Sequence, residues 1–348
     1  LPPDPGTPAP STATAVPRVR LGRYLEEIGV GSGEPVVEPI GEGHSNLTFL
    51  VRQGEARLVL RRPPLGEISR SANDILREGR ILTSLAGTEI PVPEVLALCE
   101  DDEVIGAPFF LADFVPGNVL VTALPAGWPP ASGERIATRL VETLAAIHRA
   151  DLGATGLDSF GRPSGYLERQ LRRFSALLEE NATRPLPRLE RVRDWLQDNL
   201  PSSPATAFVH GDFRLGNMIL GDDAEITAVL DWEMATTGDP LADLGYLTAM
   251  WAEPGDPETP MTVLSTVTRG PGFPPRAELA RRYADLSGHS LEALPWYEVL
   301  ALWKAAIFLE GSYRRYREGR SDDSYFAGLD TGVPAMAAAA LARIRSAR

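Results

Sequence analysis

The hydrophobic period of this chain changes once, and that change limits the folds open to it. Up to about residue 115, apolar residues fall in short runs at 36–40, 47–52, 57–61, 93–98 and 108–114, each bounded by turn formers. Gln53-Gly54 marks a turn between the second and third runs, and Pro63-Pro64 stops the third. One stretch in this part, 72–85, has helical spacing through Ile75, Leu76, Ile81, Leu82 and Leu85. The predicted order is therefore β-β-β-α-β-β. After Pro116-Gly117 the spacing is helical over 134–149, 167–180, 189–200, 277–286, 291–317 and 334–345. One β-rich island, 207–230, interrupts it. Such a sequence predicts an α+β protein in which a small β-rich lobe precedes a large helical one. A further helix is expected over 21–28. Residues 1–20, with six prolines among small side chains, are expected to form a disordered tail. The expected divisions are thus 1–20, 21–114 and 115–348.

Composition removes several chemistries. The 348 residues carry a net charge of −13, which argues against nucleic acid as a partner. Lys304 is the single lysine, so 33 of the 34 basic side chains are arginine. It precedes Ala305, so no Walker A loop exists, and a Schiff base would have to use Lys304 itself. Cys99 is the sole cysteine and the four histidines are scattered, which argues against a disulfide framework or a zinc site. No G-x-S-x-G elbow occurs, and no apolar run approaches eighteen residues. The first residues lack the apolar core of a secretory signal. A soluble, cytoplasmic protein without a membrane partner is expected.

The island carries the chemistry. It reads Phe208-Val209-His210-Gly211-Asp212-Phe213-Arg214-Leu215-Gly216-Asn217-Met218-Ile219-Leu220, a polar loop between two apolar strands. A further strand, 226–230, ends in Asp231-Trp232-Glu233. Phosphoryl transfer needs one carboxylate to accept or orient a hydroxyl proton. It also needs oxygen ligands, an amide and a second carboxylate, for a hard cation on the phosphates. Asp212 and Asn217 are five apart, as in H-x-D-x-x-x-x-N, and Asp231 follows Asn217 by fourteen.

With His210-Gly211-Asp212 rather than His-Arg-Asp, residues 21–320 resemble the aminoglycoside phosphotransferase and choline kinase group, which has a protein-kinase-like, bilobal fold. Gly43-His44-Ser45-Asn46-Leu47-Thr48-Phe49 and Thr236-Thr237-Gly238-Asp239-Pro240, followed by Asp243-Leu244-Gly245, are similar to one subgroup. That subgroup comprises the kinase-like domains fused to certain acyl-CoA dehydrogenases and their free-standing bacterial relatives. The resemblance implies ATP and Mg²⁺ as cofactors, Asp212 as catalytic base, and Asn217 and Asp231 as metal ligands. Arg214 lies two after the aspartate, where protein kinases place a lysine that touches the transferring phosphate; its other reading is a surface cation. Asp239 and Asp243 read as structural carboxylates near a helix start. His148 and His210 read as residues that support and orient the catalytic loop, and Glu233 as an assistant to metal or substrate.

The small lobe is read the same way. Gly41, Gly43, Ser45 and Asn46 lie between two strands, where backbone N–H groups can approach phosphates. Arg61, on the third strand, stands where kinases use lysine, and alternation puts it on one face with Val59. Glu78 on the following helix is its expected partner, and Arg61 reads as the phosphate clamp. Asp113 and Val115 are expected to meet adenine through backbone groups. The acceptor would be the hydroxyl of a small molecule, with a hydroxyacyl thioester as one candidate. Acidity does not mark an aminoglycoside trap, because residues 1–115 carry net −7 and the twofold longer remainder only −6. Two alternatives stay open at this point: a nucleotide-binding pseudokinase and an antibiotic-modifying kinase.

Overall fold

The computed structural model describes residues 15–40, 46–64, 71–202, 206–320 and 324–346. These fall into two compact units: one is formed by residues up to Pro116 together with Thr227–Glu233, the other by Gly117–Ile226 and Met234–Arg348.

The first unit opens with helix α1 (Arg18–Glu27), then strands β1 (Val36–Pro39), β2 (Leu47–Gln53) and β3 (Ala56–Arg62). Helix α2 (Ser71–Leu85), β4 (Val95–Cys99), the short α3 (Asp102–Ile105) and β5 (Phe109–Asp113) follow. The strands form one antiparallel sheet in the order β1-β2-β3-β5-β4, so the returning β5 lies between β3 and β4. Alternation along β3 assigns its two faces. Leu58 and Leu60 enter a core shared with Leu21 and Leu25 of α1, Val51 and Phe109. Val59 and Arg61 point to the opposite face, which α2 covers so closely that a Cβ on Gly79 would fall 3.3 Å from the Phe110 side chain.

Residues 15–20 do not belong to the tail expected over 1–20. Ala15 and Val16 are buried in that core, and Pro17 leads into α1 at Arg18. A tertiary partner accounts for this. Arg62 is 2% exposed and donates to the carbonyls of Ala15, Pro63 and Ile105. Residues 1–14 lie outside the described residues.

The second unit contains α4 (Ala131–Arg149), α5 (Leu152–Thr155), α6 (Tyr166–Asn181) and α7 (Pro187–Asp198). Next come β6 (Ala207–Val209), β7 (Met218–Leu220), β8 (Ile226–Val229, whose last three residues belong to the first unit) and β9 (Thr236–Gly238). It closes with α8 (Leu241–Met250), α9 (Arg276–Ser287), α10 (Leu294–Arg317) and α11 (Leu329–Ser346). Helix α10 runs through the core, packing Trp296, Val299, Trp303 and Ile307 against Phe174 of α6 and Val333 of α11. The indole N–H groups of Trp296 and Trp303 donate to the carbonyls of Leu196 and Leu189, so these rings are buried without an orphan donor.

Three expectations needed adjustment. The last helix begins at Leu329, five residues before Pro334, which the helix holds within its second turn. Helix α8 was not marked as a helix in the sequence, because burial on nearly every side leaves it no apolar period. Residues 227–233, placed by the sequence with the second lobe, pack with the first; the Val229 N–H donates to Pro91 O at 2.8 Å. Among the described residues no helix is long and apolar enough to cross a membrane.

Replacing Arg62 with Leu should destabilise the first unit by roughly 2–4 kcal/mol, because buried carbonyls lose a charged donor. The denaturant midpoint should fall while the slope of the transition holds.

Candidate active site

In the helical unit, β6 delivers His210-Gly211-Asp212 onto a loop fixed from behind. The Asp243 carboxylate, 1% exposed on the first turn of α8, accepts the His210 N–H at 2.6 Å and the Gly211 N–H at 2.8 Å. His148, at the end of α4, points its Nε2 at the same carboxylate at 3.2 Å, and its Nδ1 meets the Tyr283 hydroxyl of α9 at 2.6 Å. Burial opposes the Asp243 charge, but the bond from His148, the charges of His148 and His210 and the Gly211 N–H outweigh it. The carboxyl is held below its usual range. Asp239 does what a residue before a helix is expected to do: its Oδ1 accepts from Leu241 N at 2.9 Å, while Oδ2 takes the Tyr297 hydroxyl at 2.7 Å. Asp243, read from sequence as a similar carboxylate, instead reaches off its own helix to hold the loop.

The loop conformation is glycine-specific. Gly211 has φ +86°, and a Cβ there would fall 2.8 Å from the Met234 carbonyl oxygen. The His210 Nδ1 accepts the Asp212 N–H at 3.2 Å. Asn217, 5% exposed, sits in a 3-10 turn (Leu215–Asn217) and donates its Nδ2 at 2.8 Å to both the carbonyl and Oδ2 of Asp212. This amide orientation leaves Oδ1 of Asn217 as the side chain's remaining ligand atom. The Arg214 Nε lies 3.6 Å from Asp212 Oδ2, with both side chains 23% exposed. Asp212, Arg214 and Asn217 therefore form one cluster.

The β unit holds the other cluster. Arg61 Nη1 donates to Glu78 Oε1 in a short contact, and its Nη2 lies 3.6 Å from Asp231 Oδ1. Burial of Glu78, 1% exposed, pushes its carboxyl up to about 7; Arg61 pulls it down only in part, and Asp231 and Glu233 push it further up. Burial likewise opposes the Arg61 charge, but Glu78, Asp231 and Glu233 outweigh it and raise its pKa. Asp231 has φ +68°, a left-handed conformation that costs a non-glycine residue about 1–2 kcal/mol. Strain of this kind collects at functional positions. Glu233 Oε2 accepts from Asn46 Nδ2 at 2.9 Å, tying Asn46 to the Asp231-Trp232-Glu233 segment. Gly41, Gly43 and Ser45 lie outside the described residues. Asp113 ends β5 with its N–H given to Glu94 O at 2.9 Å, whereas the Val115 N–H has no partner among the described residues.

The sequence reading missed the grip of Asp243 on the catalytic loop, the bond from Asn46 to Glu233 and the strain at Asp231. Only the spacing of Asp239 and Asp243 after the island hinted at the first.

Residues 36–287 match the model of the phosphotransferase enzyme family (APH), and the chain belongs to that family. It is 35% identical over 314 residues to acyl-CoA dehydrogenase family member 10 of Mus musculus, and 33% identical over 322 residues to family member 11 of Rattus norvegicus. These matches cover 89% and 88% of the chain but 29% and 40% of the relatives, so the chain spans well under half of their lengths. A crystal structure from Ralstonia eutropha JMP134, described as that of a candidate aminoglycoside phosphotransferase, is 29% identical with a TM-score of 0.81, covering 95% of this chain and 98% of that one. The GDP and kanamycin complex of APH(2")-IIIa shares the fold at 18% identity and a TM-score of 0.60, covering 90% and 96%. The fold is thus α+β of the protein-kinase-like kind, as the motifs implied.

Two outcomes follow from these clusters. Asp243→Ala leaves the buried His210 N–H and the partly buried Gly211 N–H without an acceptor and should lower stability by roughly 2–4 kcal/mol. Hydrogen exchange at His210 and Gly211 should quicken beyond that of β6. For Glu78, the folded value of about 7 lies above the ordinary carboxyl value of 4.5. Its stabilising contribution is therefore complete below about 4.5 and lost as pH rises to about 7. Thermal midpoints across that window should fall in the parent protein and stay flatter in Glu78→Gln.

Proposed function

We propose that this protein is an ATP- and Mg²⁺-dependent O-phosphotransferase acting on the hydroxyl of a small molecule. Asp212 accepts the hydroxyl proton as the substrate oxygen bonds to the γ-phosphorus and the bond from that phosphorus to the ADP oxygen breaks. The Asn217 amide fixes the Asp212 carboxylate, and the loop that carries both is pinned by Asp243. Asn217 Oδ1 and the Asp231 carboxylate are hard oxygen donors that suit Mg²⁺. When bound, this ion would neutralise charge on the phosphates. Arg61, steadied by Glu78, is the phosphate clamp, and Gly41, Gly43, Ser45 and Asn46 form the phosphate loop. The N–H of Val115, without a partner among the described residues, and the backbone at Asp113 suit an adenine edge. Arg214, beside Asp212, neutralises charge on the transferring group. The acceptor is a hydroxyl compound, with a hydroxyacyl thioester as a candidate because the chain is 35% identical over 314 residues to a dehydrogenase-linked relative.

The observation that carries this reading is the Asp212–Asn217 pair: two bonds from one amide hold a partly exposed carboxylate on a loop anchored from behind. One observation favours a second reading, nucleotide binding without transfer. The forked Arg61 reaches toward both Glu78 and Asp231, and so occupies the charge of a proposed metal ligand.

ADP release over a panel of alcohols, choline, hydroxyacyl-CoAs and aminoglycosides separates the two. Asp212→Ala and Asp231→Ala should each lower kcat by about 100-fold or more. Activity that persists in Asp231→Ala would remove its metal role. Arg61→Lys should impair turnover, whereas a gain would favour the second reading.

A further inference from the structure

Of the two proposed metal ligands, Asp231 carries the strained backbone, at φ +68°. A conformation of this kind persists only where the surroundings over-determine it. The β unit supplies such surroundings on both sides of the residue. Before it, the Val229 N–H donates to Pro91 O at 2.8 Å. The Val229 carbonyl accepts the Trp232 indole N–H at 2.9 Å, and that ring is fully buried. After it, the Glu233 carbonyl accepts from Arg77 Nη1 of α2 at 3.4 Å, and Glu233 Oε2 accepts from Asn46 Nδ2 at 2.9 Å.

The bond from Asn46 differs from the others in joining two side chains, 187 residues apart. Asn46 is 7% exposed, so the bond forms largely away from water, where it is strongest. A carboxylate only accepts, so the amide must turn its Nδ2 toward Glu233. Asn46 immediately precedes β2, whose Leu47 and Thr48 pair with Arg62 and Arg61 of β3. It therefore lies at the end of the sheet that carries Arg61, whose Nη2 is 3.6 Å from Asp231 Oδ1. Held by Asn46, the Glu233 carboxylate cannot turn toward a cation beside Asp231 without giving up a charge-assisted bond.

We infer that Asn46 and Glu233 are positioning residues for Asp231: the bond between them fixes the chain just after Asp231 and so sets the direction of its carboxylate. Glu233 then holds a metal ligand in place and is not one itself. This rests on the reading of Asp231 as a metal ligand and adds the partners that such a ligand needs behind it.

The test uses the full chain with ADP and with Mn²⁺ as the probe, titrated by electron paramagnetic resonance, alongside hydrogen exchange at the amides of 232 and 233. Asn46→Ala changes no charge; it should weaken Mn²⁺ binding by about 10-fold and quicken exchange at both amides. Glu233→Gln and Glu233→Ala remove the same charge, but only the glutamine keeps an oxygen for Asn46. The glutamine variant should therefore bind Mn²⁺ about 10-fold more tightly than the alanine variant. Asn46→Asp combined with Glu233→Gln exchanges donor and acceptor at constant net charge, and affinity should return to within about 3-fold of the parent. Parental affinity in Asn46→Ala, equal losses in the two Glu233 variants, or no recovery in the exchanged pair would each overturn the inference. Should Asn46→Ala fail to fold, the two Glu233 variants give the same decision. Asp231→Ala separates this inference from the reading beneath it. Loss of Mn²⁺ in Asp231→Ala beside parental affinity in Asn46→Ala overturns the inference alone. Parental affinity in Asp231→Ala removes the metal reading, and exchange then decides the positioning role. Exchange that quickens in Asn46→Ala and recovers in the exchanged pair upholds it, and unchanged exchange overturns it.

Discussion

The helical unit is organised around one buried carboxylate. Asp243 has been taken from water, and a desolvated charge persists only if fixed donors replace the lost hydration. Two backbone N–H groups of the loop at 210–211 and the imidazole of His148 supply them. The exchange works both ways. The loop obtains acceptors for N–H groups that its left-handed turn at Gly211 would otherwise leave unpaired, and α4, α8 and α9 are tied to one point through His148 and Tyr283. Asp212 can then stand partly exposed on a backbone held by these bonds. That arrangement suits a group that must meet a substrate atom in a set direction.

The β unit handles charge differently. Arg61 and Glu78 lie on the sheet face covered by α2, and their ionisation is a balance between burial and pairing. Asp231, in a strained left-handed conformation, and Glu233, bonded to Asn46, complete the group. An arginine at this position is not a neutral exchange for lysine. Its fork engages Glu78 through one nitrogen and leaves a second facing Asp231, where an ammonium would present a single point charge. The composition bias toward arginine thus has a structural consequence at Arg61, and the lysine that remains, Lys304, is in the other unit with Arg173 as its neighbour.

Much of the architecture was legible in the chain. The five strands of the sheet leave short apolar runs between turn formers, and the helices 131–149, 166–181 and 276–287 leave clear periods because each has one buried face and one wet one. Helix α8 left none, being buried nearly all round, and the burial of Ala15 was hidden because Arg62 anchors it from 47 residues away. Of the candidate site, the H-G-D-x-x-x-x-N island and Asp231 could be named from spacing. Their hydrogen-bond roles could not. Asn217 could have turned its oxygen or its nitrogen to Asp212, and the packing decided it.

By itself, the sequence determined which residue types are available to the chemistry, the change from strand to helix at about residue 116, and the family resemblance that the comparisons then showed. These are local properties: periodicity, turn formers and motif spacing lie within a few tens of residues. Tertiary structure alone decided that Asp243 holds a loop 32 residues away in sequence, that segment 227–233 belongs with the β unit, and that Arg173 and Lys304 share one ring. Each depends on burial and on charges brought together from distant positions. Desolvation and Coulomb interactions follow distance in space, which the order of residues does not record.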